Sequence, residues 1–274
     1  MPWFLGIDSG SITTKAAIVD KDGHLQTWFL VPTAGKPLEG AIAVIFKVLG
    51  CLSPGSQIEA ICVTGSGRKL LEQDLLMHFP EKSFNKLHPI QIKNEITCQT
   101  LAAVNYLPQV TTVLEMGGQD SKIIMVEKGL PIDFAMNSIC AAGTGSFLDH
   151  QATRLGIDMQ TFDNLSNSSR NPCPIDARCT VFAESAMVSA QQSGVSLPDI
   201  LNGLVLALAQ IFIRTVGAGK NLKGPYLFQG GVAQNRTMIS ALSTELGEEI
   251  IVYPRPQISG AVGAALYAAS CKPQ

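Results

Sequence analysis

Short apolar segments separated by polar turn residues open the chain, and this pattern predicts strands joined by tight turns. The apolar segments cover Phe4–Asp8, Lys15–Asp20 and Leu25–Val31, and Gly10–Ser11 and Lys21–Gly23 lie between them. Glycine, serine and aspartate are the usual residues of such turns. We therefore predict that the chain begins with consecutive strands joined by hairpin turns.

The same pattern returns in the middle of the chain. Strands are predicted at Thr111–Met116, Ser121–Glu127 and Pro131–Met136, with a Gly117–Gly118 turn after the first and a Lys128–Gly129 turn after the second. The second copy follows the first by 107 positions and repeats an acid, a glycine, a hydroxyl residue and a lysine. Such repetition indicates an internal duplication. The matched pairs are Asp8 with Glu115, Gly10 with Gly117, Thr14 with Ser121, and Lys15 with Lys122.

Helical periodicity dominates the rest of the chain, so we predict an α/β protein. Helices are predicted from Pro37, from Arg68, and over Asn94–Asn105, Gly145–Leu155, Asp158–Ser166, Thr180 to about Ser193, Pro198–Val216, Gln234–Leu246 and Ser259–Ala269. Further strands are predicted at Glu59–Thr64, Tyr226–Gln229 and Glu249–Tyr253. The predicted division is residues 1–107, residues 108–258, and a C-terminal helix in residues 259–274 that packs back on the first part.

The composition is that of a folded protein with a sizeable core. Hydrophobic residues make up 46% of the chain and charged residues 15%. The net charge of −2 gives no reason to expect a nucleic acid or an anionic membrane as partner. The longest apolar segment, around Leu204–Val216, is shorter than the roughly 18 residues of a membrane span. The N-terminus has no basic region or cleavage site, so we expect no signal peptide and a cytoplasmic protein.

The duplicated turns carry residues suited to binding a polyphosphate. Small residues at a hairpin leave backbone N–H groups open to phosphate oxygens. We predict that Asp8 binds Mg²⁺ through water, because Mg²⁺ bound to phosphates usually keeps several waters, and that Lys15 lies over the phosphates. Glu115, Gln119 or Asp120 would orient an attacking water. One such turn alone is usually an ordinary turn, but its duplication favours a nucleotide site.

A second glycine pair, Gly230–Gly231, follows a predicted strand and precedes a predicted helix. Glycine at this place lets a ribose or a flat ring approach the backbone, so the turn suits adenosine. Asp8, Glu115 and Gln119 are the predicted catalytic residues. The predicted ATP-binding residues are Ser9, Gly10, Ser11, Thr13, Thr14, Lys15, Gly117, Gly118, Asp120, Gly143, Gly145, Glu184, Gly230, Gly231, Val232, Asn235 and Gln257.

Two of the seven cysteines, Cys140 and Cys179, stand just before predicted helices. The positive end of a helix dipole favours a thiolate, the form that binds metals and electrophiles. An odd number of irregularly spaced cysteines disfavours a disulfide framework. Cys173 lies between two prolines, and an auxiliary or redox role is left open for it. The cysteines predicted to be core thiols are Cys51, Cys62, Cys98 and Cys271.

Six motifs together resemble one family. They are VLEMGGQDSK at Val113–Lys122, CAAGTGSFLD from Cys140, CTVFAES from Cys179, GGVAQN from Gly230, TGSGR at Thr64–Arg68 and NEITC at Asn94–Cys98. This set resembles the ATP-dependent activators of 2-hydroxyacyl-CoA dehydratases and the ATPase subunits of benzoyl-CoA reductases. The resemblance extends from Gly6 to Leu266.

The resemblance implies an actin-like (ribonuclease H-like) ATPase fold, with the nucleotide in a cleft between two duplicated subdomains. It also implies a homodimer with one [4Fe–4S] cluster bound by Cys140 and Cys179 of both chains. Four thiolates hold such a cluster, so two per chain make half a site. Electrons would come from ferredoxin or flavodoxin and pass to a partner dehydratase or reductase.

Three residues beside the cysteines, Ser146, Arg178 and Ala186, differ from those common in the family, so the client enzyme stays open. Fold alone does not fix function. One alternative is a small-molecule kinase, such as an amino-sugar kinase, with Asp133 or Asp149 as catalytic acid. Another is a nucleotide-dependent binding module without redox chemistry.

Overall fold

The computed structural model describes residues 2–53, 56–75, 90–137, 144–176 and 178–271. The strands are β1 (Trp3–Ser9), β2 (Thr13–Val19), β3 (Leu25–Pro32), β4 (Ile58–Thr64), β5 (Gln91–Ile92), β6 (Thr112–Met116), β7 (Ser121–Glu127), β8 (Leu130–Asn137), β9 (Tyr226–Gln229) and β10 (Ile250–Val252). The helices are α1 (Pro37–Leu49), α2 (Arg68–Asp74), α3 (Glu95–Tyr106), α4 (Gly145–Arg154), α5 (Met159–Asn167), α6 (Thr180–Gln192), α7 (Leu197–Val216), α8 (Arg236–Leu246) and α9 (Ser259–Ser270).

The chain forms two compact units, each with its own sheet. The first unit comprises Met1–Val110, Val126–Pro131 and Ile258–Gln274, and the second comprises Thr111–Met125 and Ile132–Gln257. The strand order is β3-β2-β1-β4-β5 in one sheet and β8-β7-β6-β9-β10 in the other. In both sheets the first hairpin is antiparallel and the next strand pairs in parallel with its first strand. The duplication therefore extends to β4 and β9, two predicted strands whose equivalence the sequence pattern did not reveal.

The first unit buries its sheet under α1 on one side and under α3 and α9 on the other. Helix α1 turns the expected apolar face inward, because Ala41, Val44, Ile45 and Val48 are buried. Helix α9 packs on β1 and β4 so closely that a Cβ atom on Gly6 would lie 2.0 Å from the Ala261 carbonyl oxygen. The backbone of α9 is thereby fixed directly against the strand that carries Asp8.

The second unit is built around α7. This helix packs against α5, α6 and α8, and its apolar residues form much of one large core cluster. Of the helices that the structure describes, α7 alone has the length and composition of a membrane span, and 61% of its most apolar window is buried in the protein. That burial is the arrangement of a core helix.

The predicted elements agree with the structure, with bounds that differ by one or two residues in most cases. Two differences concern short elements. Strand β5 was not predicted, because two residues carry no periodicity. The helix predicted from Gln234 begins at Arg236, after a short 3₁₀ helix at Gly231–Gln234.

The prediction of four core thiols is partly wrong. Cys62 and Cys98 are buried as predicted, but Cys51 is exposed and Cys271 is only half-buried. Cys51 follows the last turn of α1, and Cys271 follows the last turn of α9, so neither belongs to a buried helix face. Cys140 and Gly143 lie outside the described residues.

Candidate functional site

The first hairpin turn (residues 9–14) places an acid beside a lysine. Asp8 and Lys15 are paired across β1 and β2, and the Lys15 Nζ atom lies 3.1 Å from the Asp8 Oδ2 atom. The Gly10 N–H closes the turn by donating to the Thr13 carbonyl oxygen at 3.1 Å. The Asp8 side chain is only 13% exposed, and Lys15 balances its charge at hydrogen-bond distance.

The second hairpin turn (residues 116–121) repeats this construction. Glu115 and Lys122 are paired across β6 and β7, and the Lys122 Nζ atom lies 3.0 Å from the Glu115 Oε2 atom. The Gly117 N–H donates to the Asp120 carbonyl oxygen at 2.9 Å. Lys122 also binds the Asp120 carboxylate at 2.7 Å and is almost fully buried. The repeated sequence pattern thus corresponds to a repeated register and a repeated ion pair.

The second oxygen of each acid faces a glycine at the end of the parallel strand. A Cβ atom on Gly65, after β4, would lie 2.6 Å from the Asp8 Oδ1 atom. A Cβ atom on Gly230, after β9, would lie 2.8 Å from the Glu115 Oε1 atom. Both glycines have positive φ, +92° and +86°, which side chains disfavour. Each acid therefore lies between a lysine and a glycine that no larger residue can replace without strain.

Neighbouring loops brace the first hairpin turn. The Thr33 hydroxyl donates to the Gly10 carbonyl oxygen at 2.7 Å and lies 2.8 Å from the Thr14 hydroxyl. The Gly67 N–H donates to the Ser9 carbonyl oxygen at 2.9 Å. Ser9 and Thr14, two of the predicted ATP-binding residues, are fully buried beneath the surface of the turn. Ser11 is exposed at the tip, and Thr13 and Lys15 are half-buried.

The start of α4 braces the second hairpin turn. The Gly145 N–H donates to the Gly117 carbonyl oxygen at 2.8 Å, and the Ser146 N–H donates to the Gly118 carbonyl oxygen at 2.9 Å. In this conformation the Gly145 N–H is therefore engaged with the turn. Gln119 is exposed at the tip of the turn.

The glycine pair after β9 has one constrained and one open member. Gly230 donates its N–H to the Pro256 carbonyl oxygen at 2.9 Å, whereas no atom lies within 4 Å of a Cβ built on Gly231. Asn235 caps α8 by accepting from the Met238 N–H at 2.7 Å. Val232 is buried, and the Oε1 atom of Gln257 has no hydrogen-bond partner among the described residues.

Cys179 is the N-cap residue of α6, as predicted. It is half-buried, and its side chain makes no capping hydrogen bond to α6. Next to it, the Arg178 Nε–H donates to Asp176 at 2.7 Å, and this bond holds the Asp176 pKa below its usual range. The Arg178 guanidinium also lies 4.4 Å from the centre of the exposed Phe182 ring. Thus an ion-paired arginine precedes Cys179 in the chain, and this arginine contacts the exposed ring of Phe182 on α6.

The loop before Cys179 is held to the start of α7. The Asp199 carboxylate accepts hydrogen bonds from the Ser169 hydroxyl at 2.7 Å, from the Ser196 hydroxyl at 2.6 Å and from the Asn171 N–H at 3.0 Å. These donors lower the Asp199 pKa to about 2, the Ser169 hydroxyl most strongly. The half-buried Cys173 lies in this loop and donates its N–H to the Asp199 carbonyl oxygen at 2.8 Å. Both the side chain and the backbone carbonyl of Asp199 therefore hold the loop in place.

The remaining predicted residues lie elsewhere in the second unit. Glu184 on α6 accepts a hydrogen bond from Arg154 on α4 at 2.8 Å. Asp133 accepts one from Lys220 at 2.7 Å, which lowers the Asp133 pKa. Asp149 is exposed on α4. Neither aspartate belongs to the hairpin turns just described.

Two units with the same strand order, each ending its first strand in an acid beside a lysine, define an actin-like ATPase fold. The family model for the BadF/BadG/BcrA/BcrD ATPase family matches residues 5–268. The chain belongs to this ATPase family.

The chain is similar over almost its whole length to characterised activators. It is 36% identical over 268 residues to the (R)-2-hydroxyglutaryl-CoA dehydratase activating ATPase of Acidaminococcus fermentans, covering 96% of each chain. It is 32% identical over 269 residues to the 2-hydroxyisocaproyl-CoA dehydratase activator of Clostridioides difficile, covering 96% of this chain and 94% of that protein.

Two solved structures have the same fold. The crystal structure of component A of the Acidaminococcus fermentans (R)-2-hydroxyglutaryl-CoA dehydratase matches with a TM-score of 0.86 and 33% identity, over 98% of each chain. The activator of the Clostridium difficile 2-hydroxyisocaproyl-CoA dehydratase with bound ADPNP matches with a TM-score of 0.81 and 29% identity, over 97% of this chain and 94% of that one. A ROK-family glucokinase from Streptomyces griseus, at 13% identity and a TM-score of 0.60, shares the fold alone.

Proposed function

We propose that this protein is an ATP-hydrolysing iron–sulfur activator that transfers a low-potential electron to a partner 2-hydroxyacyl-CoA dehydratase or a related reductase. The observation that carries this proposal is the repeated acid–lysine pair at the two hairpin turns, in a chain whose relatives are named as activators. The family's ATPase character supports the first half of the proposal, and the two cysteine motifs support the second.

Asp8 suits a Mg²⁺ ion held through water. Its carboxylate lies between Lys15 and Gly65, and Mg²⁺ bound to phosphates is usually held by one or two carboxylates together with several waters. Bound Mg²⁺ neutralises charge on the phosphates. We assign the orientation of the attacking water to Glu115, which Lys122 keeps in one place, and a phosphate contact to the exposed Gln119. Gly231, open on one side, receives the adenosine in this proposal.

Cys179 suits a cluster ligand, because its half-buried thiol lies at the start of a helix whose N–H dipoles favour bound negative charge. We propose that Cys140 and Cys179 of two copies hold one [4Fe–4S] cluster in a homodimer. The cluster supplies a one-electron redox centre, which ferredoxin or flavodoxin reduces. Arg178, Ser146 and Ala186 are near these cysteines in sequence, so we propose that they contribute to client recognition.

The second hairpin turn provides a route from ATP to the cysteines. Its Gly117 and Gly118 carbonyl oxygens accept the first N–H groups of α4, and the segment just before α4 contains Cys140. A shift of this turn when the γ-phosphate leaves would therefore pull on the start of α4. Because a cluster's potential depends on nearby dipoles and solvent, such a shift would change the potential.

The experiment is anaerobic purification followed by iron and sulfide analysis, an EPR spectrum with and without ATP, and an ATPase assay. We expect about four iron atoms per dimer, the stoichiometry of one four-iron cluster. Cys140→Ala and Cys179→Ala should lose iron, whereas the control Cys51→Ala should keep it. Full iron content in both ligand variants would refute the ligand assignment.

Two outcomes would replace the proposal. ATP turnover that a sugar stimulates, in iron-free protein, would support a kinase. Nucleotide binding without iron after anaerobic reconstitution would support a binding module.

A further inference from the structure

Each acid–lysine pair belongs to a longer row of paired residues. In the first sheet, Thr64 on β4 is paired with Asp8. In the second sheet, Gln229 on β9 is paired with Glu115. Side chains of directly paired residues project from the same face of a sheet. The rows are therefore Lys15–Asp8–Thr64 and Lys122–Glu115–Gln229.

The outer member of each row is a buried polar residue without a hydrogen bond. Gln229 and Thr64 are both fully buried. Within the part of the chain that the structure describes, the amide nitrogen and oxygen of Gln229 have no hydrogen-bond partner. The Thr64 hydroxyl has none there either. Most buried polar side chains in native proteins have a hydrogen-bond partner, because burying one unpaired is costly. The same cost occurs at equivalent places in two sheets.

The carboxylates are oriented toward these outer residues. Lys122 binds the Glu115 Oε2 atom, while the Oε1 atom lies beside Gly230, the residue that follows Gln229. Lys15 binds the Asp8 Oδ2 atom, while the Oδ1 atom lies beside Gly65, the residue that follows Thr64. In each row one oxygen faces the lysine strand and the other faces the strand with the unpaired polar group.

We propose that Gln229 and Thr64 are positioning residues for ATP hydrolysis, and that each holds the carboxylate oxygen of the neighbouring acid that faces its strand through one water. The Gln229 amide N–H groups would hold the Glu115 carboxylate in the orientation in which it accepts a hydrogen bond from the attacking water. The Thr64 hydroxyl would do the same for Asp8. This inference rests on the proposed ATPase function and adds one residue to each half of the site.

The test compares Gln229→Met with Gln229→Glu in the full-length protein. Methionine keeps the length and removes every polar contact, and glutamate keeps oxygen acceptors but no N–H donor at neutral pH. Both should lower kcat for ATP hydrolysis about tenfold or more and leave the ATP KM within about twofold. This loss is smaller than the loss of a donor that contacts the reacting atoms, because Gln229 acts through Glu115. The control is Gln151→Met, since Gln151 is equally buried and also has an unpaired oxygen, but lies on α4 outside the rows.

The first unit gives an independent test. Thr64→Val should lower kcat with little change in KM, and Thr64→Ser, which keeps the hydroxyl, should restore it. Thr112→Val is the matched control, because Thr112 is a buried strand threonine whose hydroxyl already donates to the Lys223 carbonyl oxygen. If circular dichroism shows that Gln229→Met is unfolded, the Thr64 variants test the positioning role.

Wild-type kcat in Gln229→Met and Thr64→Val, or an equal fall in the two controls, would overturn the positioning role while leaving the ATPase proposal intact. A wild-type protein that does not hydrolyse ATP would overturn both.

Discussion

Replacing Gly230 by alanine should destabilise the second unit and stop ATP turnover. Gly230 has φ +86° and ψ 168°, a region of backbone conformation that is essentially limited to glycine. The new Cβ atom would also lie 2.3 Å from the Met116 carbonyl oxygen and 2.8 Å from the Glu115 Oε1 atom. The end of β6 and the acid must therefore move to accept it.

The magnitude follows from two terms. Unfavourable backbone conformation costs about 1–3 kcal/mol, and the steric displacement of a packed strand end costs a similar amount, so the sum is about 2–6 kcal/mol. Gly231→Ala is the matched control, since nothing lies within 4 Å of a Cβ built there. It should change stability by less than about 0.5 kcal/mol, as surface substitutions usually do.

Urea unfolding followed by circular dichroism measures the stability change, and titration with a fluorescent ATP analogue measures nucleotide binding. We expect a lower urea midpoint only for Gly230→Ala, and weaker nucleotide binding for Gly231→Ala at an unchanged midpoint. Equal midpoints for Gly230→Ala and the wild type would show that the turn is not constrained as described. Unchanged nucleotide affinity in Gly231→Ala would refute the assignment of adenosine binding to this turn.

Three further predictions concern charges and thiols. Lys122→Met should lower the free energy of unfolding by about 3–5 kcal/mol, because it takes the bound lysine away from the buried Glu115, and adding Glu115→Gln should restore much of it; an unchanged urea midpoint would contradict this. The Asp199 pKa is lowered to about 2 from an ordinary value of 3.8, so its stabilisation of the loop is complete above pH 3.8 and is lost as the pH falls toward 2. The protection factors of the loop amides, which are corrected for the intrinsic pH dependence of exchange, should fall over that interval, and Asp199→Asn should lack the change. Iodoacetamide should label Cys51 in the native protein well before Cys62, and equal rates would contradict their burial.

The sequence predicted the hairpins to within one or two residues because the repeat is local. The two strands and their turn cover only the 17 residues of Trp3–Val19 in the first copy and the 16 residues of Thr112–Glu127 in the second, so a constant spacing of 107 is kept between the copies. The parallel strands β4 and β9 do not keep this spacing of 107. Helix α1 lies between β3 and β4, whereas the four helices α4 to α7 lie between β8 and β9. The equivalence of Thr64–Gly65 and Gln229–Gly230 therefore has no constant offset, and only the sheet register reveals it.

Burial was predictable only where an element decides it. Cys62 is inside β4 and Cys98 inside α3, so the apolar pattern of each element placed both thiols in the core. Cys51 has apolar neighbours in sequence but lies beyond the end of α1, where the chain turns outward. Composition does not tell where a helix ends to within a residue, and one residue changes the exposure of a thiol completely.

Gly145 illustrates how a motif and its physical role can differ. The motif suggested a nucleotide contact, but in the structure the Gly145 and Ser146 N–H groups donate to the second hairpin turn. Because these bonds come from the backbone, the link between turn and helix does not depend on the Ser146 side chain. Ser146 can therefore differ from the residue common among the family's activators without weakening that link.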